Sequence, residues 1–202
     1  RRTDQPRMHD ETAAQLLAHL TDPNGWWRDT AQQLLILKQD KSVVPELSAM
    51  ARTSPNQLAR IHALWTLEGL GSANASLVRE LMASPDAQVR QQAIRASETL
   101  YKAGDRSLGT DYKSLTRDAD VDVALQAMMT LDALRVGDAS AVIKTTQDLN
   151  KARGVQLVAT AMLGGGGAGR GGGGGRGGAA PPLSAAETTA MEKGEGVYKE
   201  LC

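Results

Sequence analysis

Phenylalanine is absent from this chain, and cysteine occurs once, as the last residue, Cys202. A single cysteine rules out an internal disulfide and says nothing by itself about redox compartment. Charge of either sign is not in excess: 23 Lys and Arg balance 23 Asp and Glu. Zero net charge gives no pull toward nucleic acid or an anionic membrane. No uninterrupted apolar run approaches the roughly 18 residues that mark a membrane span. No signal-peptide pattern follows Arg1. His9, His19 and His62 are scattered and have no metal-ligand spacing with cysteine or acidic residues. They read as surface or internally satisfied histidines. No nucleophile–base arrangement is visible, so the chain itself reads as non-catalytic. With few aromatics and 202 residues, it fits one soluble helical domain plus appendages.

What is present is a recurring stretch. Asp22-Pro23-Asn24-Gly25-Trp26-Trp27-Arg28 leads to Ala31; Ser54-Pro55-Asn56 leads to Ala59-Arg60 and Ala63. Ser84-Pro85-Asp86 leads to Val89-Arg90 and Ala93, and Asp118-Ala119-Asp120 leads to Val123-Ala124 and Ala127. A faded copy from Asn150 places Val155, Ala159 and Leu163 in the same phase. The starts lie 32, 30, 34 and 32 residues apart, a period that signals stacked repeats. The first residue of each copy is a candidate N-cap, and Pro after it suits the first helical position. Trp27, Ala59, Val89 and Val123 share a helical face with Ala31, Ala63, Ala93 and Ala127. The small alanines would let a neighbouring helix approach closely. Leu35, Leu67 and Leu131 extend the face, and Ser97 interrupts it. One amphipathic helix cannot bury such a face alone, so a partner helix and a neighbouring repeat are required.

The hydrophobic pattern predicts ten helices in five antiparallel pairs, with the motif always on the second helix. The helices are Asp10 to Leu20, Pro23 to Lys38, Ser42 to Arg52, Pro55 to Leu70, Asn74 to Ala83, Pro85 to Tyr101, Thr110 to Arg117, Ala119 to Arg135, Asp138 to Leu149 and Lys151 to Leu163. Gly69 and Gly71 can end the fourth helix, and Gly104 and Gly109 bracket a loose connection. The five pairs should share one continuous core. Arg28, Arg60 and Arg90 recur at one position and Asn24, Asn56, Asp86 and Asp120 at another. The two positions are four residues apart, which permits a solvated pair within each helix. Their recurrence favours a ladder, in which Arg of one repeat bonds the Asp or Asn of the next. Trp27 takes the core position. Trp26, about 100° around the helix, is left at the rim, either covering the open end or touching a preceding domain.

Composition changes at 164–178, where twelve of fifteen residues are glycine and Arg170 and Arg176 are the only charges. The run lacks the Gly-Lys-Ser/Thr ending and the flanking strand of a phosphate loop. Glycine has the most backbone entropy to lose and nothing to bury, so 164–182 reads as a disordered tether with a reach of about 25 Å. Ser184-Ala185-Ala186-Glu187 is a capping-box pattern, predicting a helix to about Leu201. The organisation expected is a frayed segment over 1–9, a repeat domain over 10–163, a Gly/Pro-rich linker over 164–182 and a terminal helical segment over 183–202. Both ends are expected to be cuts within a longer chain.

The order cap, Pro, Asp/Asn, apolar, Arg, Ala resembles HEAT repeats, although the period is shorter than the roughly 40–47 residues usual for them. The fold class expected is therefore all-α, a compact HEAT-like α-solenoid of about five helix pairs. The ankyrin Thr-Pro-Leu-His turn and the tetratricopeptide Trp-Leu-Gly-Tyr pattern are absent. Asp22-Pro23-Asn24-Gly25-Trp26-Trp27-Arg28-Asp29-Thr30-Ala31-Gln32, with His62-Ala63-Leu64-Trp65-Thr66-Leu67-Glu68-Gly69-Leu70, further resembles the HEAT segment of PVC-type (Planctomycetes-group) haem-binding, membrane-bound dehydrogenase-like proteins. In that family a propeller resembling sugar or sorbosone dehydrogenases precedes the HEAT segment, and a cytochrome c domain with Cys-x-x-Cys-His follows. Gly194-x-Gly196-Val197-Tyr198-x-x-x-Cys202 resembles the run into such a haem site. The long glycine tether departs from the family.

The resemblance implies that 183–202 is the first helix of a cytochrome c domain and that Cys202 is the first haem-attachment cysteine. It implies haem c in the full-length parent, with none held by this chain alone, and a periplasmic or secreted parent with propeller and cytochrome c domains as intramolecular partners. The function it implies is a non-catalytic scaffold serving haem binding and electron transfer. The alternative is a free-standing HEAT-like adaptor that binds a protein on its concave face and has no redox role.

Overall fold

The computed structural model describes residues 7–164. These all lie in the first of two units, Arg1–Gly167; the second, Ala168–Cys202, lies outside the described residues. The tether, the terminal helix and Cys202 expected from the sequence therefore fall outside them.

Eleven α-helices and two short 3-10 turns make up the described residues: α1 Ala13–His19, α2 Gly25–Lys38, α3 Val44–Thr53, α4 Gln57–Gly69, α5 Ala75–Met82, α6 Ala87–Ala96, α7 Glu98–Lys102, α8 Leu108–Leu115, α9 Val121–Ala133, α10 Ala139–Leu149 and α11 Arg153–Gly164. They form five pairs: α1 with α2, α3 with α4, α5 with α6, α8 with α9, and α10 with α11. The second helices stack directly on one another in the order α2, α4, α6, α9, α11. This is the stacked two-layer arrangement that the repeat requires.

The motif helices begin two residues later than the cap-and-proline pattern suggests. In each repeat the first polar residue forms a turn ahead of the helix. Asp22 Oδ1 accepts from Asn24 N–H at 2.7 Å, Ser54 Oγ from Asn56 N–H at 3.2 Å, Ser84 Oγ from Asp86 N–H at 3.2 Å and Asp118 Oδ1 from Asp120 N–H at 2.8 Å. The true N-caps are Asn24, Asn56, Asp86 and Asp120, whose side chains accept from backbone N–H groups in the first turn. The prolines thus sit inside the entry turn rather than at the first helical position. Asn, Asp and Ser bond to the backbone two residues on as readily as they cap, and here successive residues do both. The faded fifth copy keeps the turn: Asn150 Oδ1 accepts from Ala152 N–H at 3.0 Å.

The alanine alignment holds. Ala31, Ala63, Ala93 and Ala127 are fully buried, as are Leu35, Leu67, Leu131 and Ala159. Close approach is enforced at the helix ends as well. A Cβ placed on Gly69, the last residue of α4, would lie 2.5 Å from Ile36 Cδ1 and 2.8 Å from Ile36 Cγ1 of α2. That glycine lets α4 settle on its neighbour.

Four further expectations are corrected. The helix predicted over Pro85 to Tyr101 breaks at Ser97 into α6 and α7. Ser97 Oγ donates to the Ile94 carbonyl at 2.6 Å and meets Tyr112 Oη at 2.9 Å, so the hydroxyl that interrupts the apolar stripe competes with the helix for its own carbonyl. Gly109 does not bracket a loop; it is buried within α8, where a Cβ would come 3.2 Å from Val136 Cγ1. Met8, placed in the frayed segment, opens a 3-10 turn at Met8–Asp10 and is 3% exposed within the core. The core is also not one body. A main cluster runs from Met8 to Val136, and a second, smaller one gathers Met128, Ile143, Val155 and Ala159. Helix α9 serves both, with Ala127 and Leu131 in the main cluster and Met128 turned toward the last pair.

Candidate functional site

The two layers of the solenoid have different chemistry. The first helices are tied along the stack by ion pairs at the surface. Arg52 of α3 meets Glu80 of α5 at 2.5 Å, Arg79 of α5 meets Asp111 of α8 at 2.9 Å, and Lys113 of α8 meets Asp138, the N-cap of α10, at 2.5 Å. The second helices are joined by side-chain hydrogen bonds of both kinds, neutral to neutral and neutral to carboxylate. His62 Nδ1 pairs with Gln32 Oε1 at 2.7 Å, and Trp65 Nε1–H donates to Gln92 Oε1 at 2.9 Å. Thr130 of α9 donates to Glu98 Oε1 at 2.7 Å and accepts from Gln126 at 3.1 Å. Gln57 Nε2 donates to the Asp86 carboxylate at 2.8 Å.

The second layer also carries the exposed apolar surface. Among the described residues, six large hydrophobic side chains are exposed: Trp26, Leu37, Leu58, Met129, Leu149 and Leu157. All but Leu149 belong to second helices. Helical spacing from the buried alanines puts Trp26, Leu58, Met129 and Leu157 on the solvent side of their helices. Scattered single hydrophobics are ordinary on a surface; here five of the six fall on one layer.

An arginine ladder also joins the repeats. Arg90 grips Asp118 of the next repeat with two bonds, Nε to Oδ2 at 2.9 Å and Nη2 to Oδ1 at 2.7 Å, and its Nη1 donates to the Ser84 carbonyl at 2.9 Å. Arg60 Nη2 donates to Ser84 Oγ of the next repeat at 3.2 Å, and Arg60 Nε to the Ala51 carbonyl at 3.0 Å. Arg28 stays within its own repeat, donating to the Asp22 carbonyl at 2.5 Å. The ladder thus exists at two junctions. Its acceptor is the turn residue, Ser84 or Asp118, rather than the N-cap Asp or Asn two positions on. Burial works against ionising Asp118, but the Arg90 guanidinium and the Asp120 N–H together outweigh it and hold the carboxyl below its ordinary range.

The histidines lie in three separate settings. His9 lies exposed beside Asp10 at 3.7 Å. His19 stacks on Trp27 with ring centres 5.0 Å apart and bonds Glu11 Oε2 at 2.8 Å. His62 sits 3.8 Å from Asp29; burial lowers its pKa, Asp29 opposes that and Arg28 adds to it. Among the described residues, no three His, Cys, Asp or Glu side chains are grouped to hold a metal ion. Trp27 packs against the core, while Trp26 meets it edge-on at 5.3 Å and is 51% exposed at the rim. Tyr112 is wholly buried, with its hydroxyl pushed up to about 12 by burial. Its bond to Ser97 was not legible in sequence; the only trace was a serine on an apolar stripe.

Paired helices, a period near 32 residues and a buried small residue at each stacking contact define the architecture. Residues 13–101 match the family model for HEAT repeats. The matched HEAT segment runs from α1 into α7, and the pairs α8–α9 and α10–α11 continue its geometry. The fold is all-α, a HEAT-like α-solenoid. No curated protein matches the chain. Among the described residues no helix is long and apolar enough to cross a membrane.

Proposed function

We propose that the chain is a non-catalytic HEAT-like scaffold segment of a modular c-type cytochrome or dehydrogenase-like protein. The scaffold part rests on the difference between the layers. An ion-paired first layer faces water at little cost, whereas an apolar second layer with glutamine bridges offers burial to a protein surface. Side chains set for acid–base or nucleophilic chemistry would need convergent partners; the polar groups of the second layer instead bond across helices and hold the stack in register.

The redox part rests on the order of residues at the chain's end. Gly194, Gly196, Val197, Tyr198 and Cys202 follow one another as in the approach to a c-type haem site. In this reading Cys202 is the first thioether-forming cysteine, haem c belongs to the parent protein, and propeller and cytochrome c domains flank the solenoid. Thioether attachment in that family takes place outside the cytoplasm, so the parent is periplasmic or secreted. The test is expression of the chain extended by about a hundred residues of its gene, roughly one domain, in a host with a cytochrome c maturation system. Covalently haem-stained protein that loses its stain on Cys202→Ala supports the reading. A soluble, unstained product defeats it and leaves the free-standing adaptor, whose function rests on the second-layer face alone.

A further inference from the structure

The residue two positions after each buried alanine points about 200° away from it on the second helix, and these positions form a track across the stack, with Trp65 also packed against the core. The track reads Gln33, Trp65, Arg95, Met129 and Ala161 on α2, α4, α6, α9 and α11. Its centre is distinctive. Trp65 is half-buried, with its indole oriented by the bond to Gln92 of α6, and Met129 is 48% exposed. Between them stands Arg95, exposed and without an ion pair or hydrogen bond among the described residues. The other arginine of α6, Arg90, is fully engaged by Asp118 and the Ser84 carbonyl. One turn earlier the row reads Asp29, Ile61, Gln91, Leu125 and Leu157, with Ile61 and Leu125 packed against the core clusters.

We propose that this face receives an amphipathic helix of a partner protein, lying across the second helices and placing a carboxylate on Arg95 between apolar side chains that meet Trp65 and Met129. The proposal rests on the scaffold reading above and names the partner's chemistry. Packed helix axes lie about 8–10 Å apart, so successive track positions are about that far apart, and Trp65 to Met129 spans about 20 Å. On an α-helix, seven residues advance about 10.5 Å and return to within about 20° of the same face. An apolar residue, an acid and an apolar residue at i, i+7 and i+14 therefore match the three stations. An extended strand covers about 10 Å in three residues, which reverses the side-chain direction and misses the track. The acid is specified by Arg95, since burying an unpaired guanidinium under an apolar partner would be costly. A guanidinium also takes a carboxylate in a two-bond geometry.

The test selects binders to the intact 202-residue chain from a displayed library of 18-residue helical peptides randomised along one face. The enriched peptides are then measured by fluorescence anisotropy. Enriched sequences should carry Asp or Glu seven residues from apolar positions on both sides. Arg95→Glu should weaken them about tenfold, and replacing the peptide's acid with Lys should restore binding to that variant. Met129→Lys should abolish binding, with far-UV circular dichroism and melting of both variants unchanged. Peptides that are lost on Met129→Lys but are indifferent to Arg95→Glu would overturn the carboxylate proposal and leave the scaffold face intact. Peptides indifferent to Met129→Lys, or no enrichment at all, would overturn both.

Discussion

Replacing Asp118 tests how the repeats are held in register. Its carboxylate takes both bonds of the Arg90 fork, at 2.7 and 2.9 Å, and accepts the Asp120 N–H that shapes the entry turn of α9. The two side chains are only 15% and 10% exposed, so solvent screens the pair far less than it screens the first-layer pairs. Asp118→Ala removes two charge-assisted bonds and the turn, but Arg90 keeps the Ser84 and Pro85 carbonyls at 2.9 and 3.2 Å. The guanidinium is therefore not left wholly unpaired, and the expected loss is about 2–4 kcal/mol rather than the upper end for a stranded buried charge. Asp118→Asn keeps the turn acceptor and one bond to Arg90, and should cost about 1–2 kcal/mol. Arg90→Ala combined with Asp118→Ala should cost less than the sum of the two by about 1–3 kcal/mol, the coupling of groups in direct contact. Urea unfolding at neutral pH, followed by circular dichroism, measures the wild type, the three single variants and the double variant. Acid adds a second check. Because Asp118 titrates lower in the folded chain than its ordinary value of 3.8, the unfolded chain binds more protons between the two values. Its contribution is thus full above about pH 4 and is lost as pH falls through the folded value. The gap between wild type and Asp118→Asn should close in that window. A loss below about 0.5 kcal/mol for Asp118→Ala, as for an ordinary surface pair, or strictly additive losses, would refute the reasoning.

Other perturbations probe separate parts of the account. Ala63→Leu should overpack the α4 contact and cost about 1–3 kcal/mol in urea unfolding, because Ala63 is fully buried. Gly69→Ala should cost a similar amount, about 1–3 kcal/mol, unless combined with Ile36→Ala, which removes the atoms its Cβ would strike. Tyr112→Phe should lose about 1 kcal/mol with the Ser97 bond. His62 has a lowered pKa in the folded chain, so the unfolded chain takes up its proton first. Stability should fall as pH drops below about 6.5 and level off below the folded value, and His62→Gln should flatten that slope.

The repeat was legible because its strongest constraint is steric. Ala31, Ala63, Ala93 and Ala127 must be small at one phase of a helix, and a fixed phase of small and large apolar residues survives in sequence. Pair count, helix order and the exposure of Trp26 followed from it. The entry turns were harder, because Asp, Asn and Ser serve equally as turn formers and caps; two such residues flank each of Pro23, Pro55 and Pro85, and the sequence does not say which one caps. The recurrence of Arg28, Arg60 and Arg90 pointed to the ladder, which Arg60 and Arg90 form and Arg28 does not, and its acceptors depended on that same two-residue ambiguity. The split core was hidden because Ala127, Met128 and Leu131 read as one stripe, although Met128 faces a different neighbour. The face centred on Arg95 showed no motif at all; it emerges only when neighbouring second helices are set side by side.

Thiol accessibility tests the repeat register and the open face together. Cys202 is the sole cysteine, so Cys202→Ser gives a thiol-free background for single cysteines at Ala31, Ala63, Ala93 and Ala127, and at Leu58, Arg95, Met129 and Leu157. The account predicts that the first four react with a maleimide only on unfolding, while the second four react at rates near that of a free thiol in the native chain. Alanine-site cysteines that label as fast as the face positions, or face positions as protected as the alanines, would contradict it.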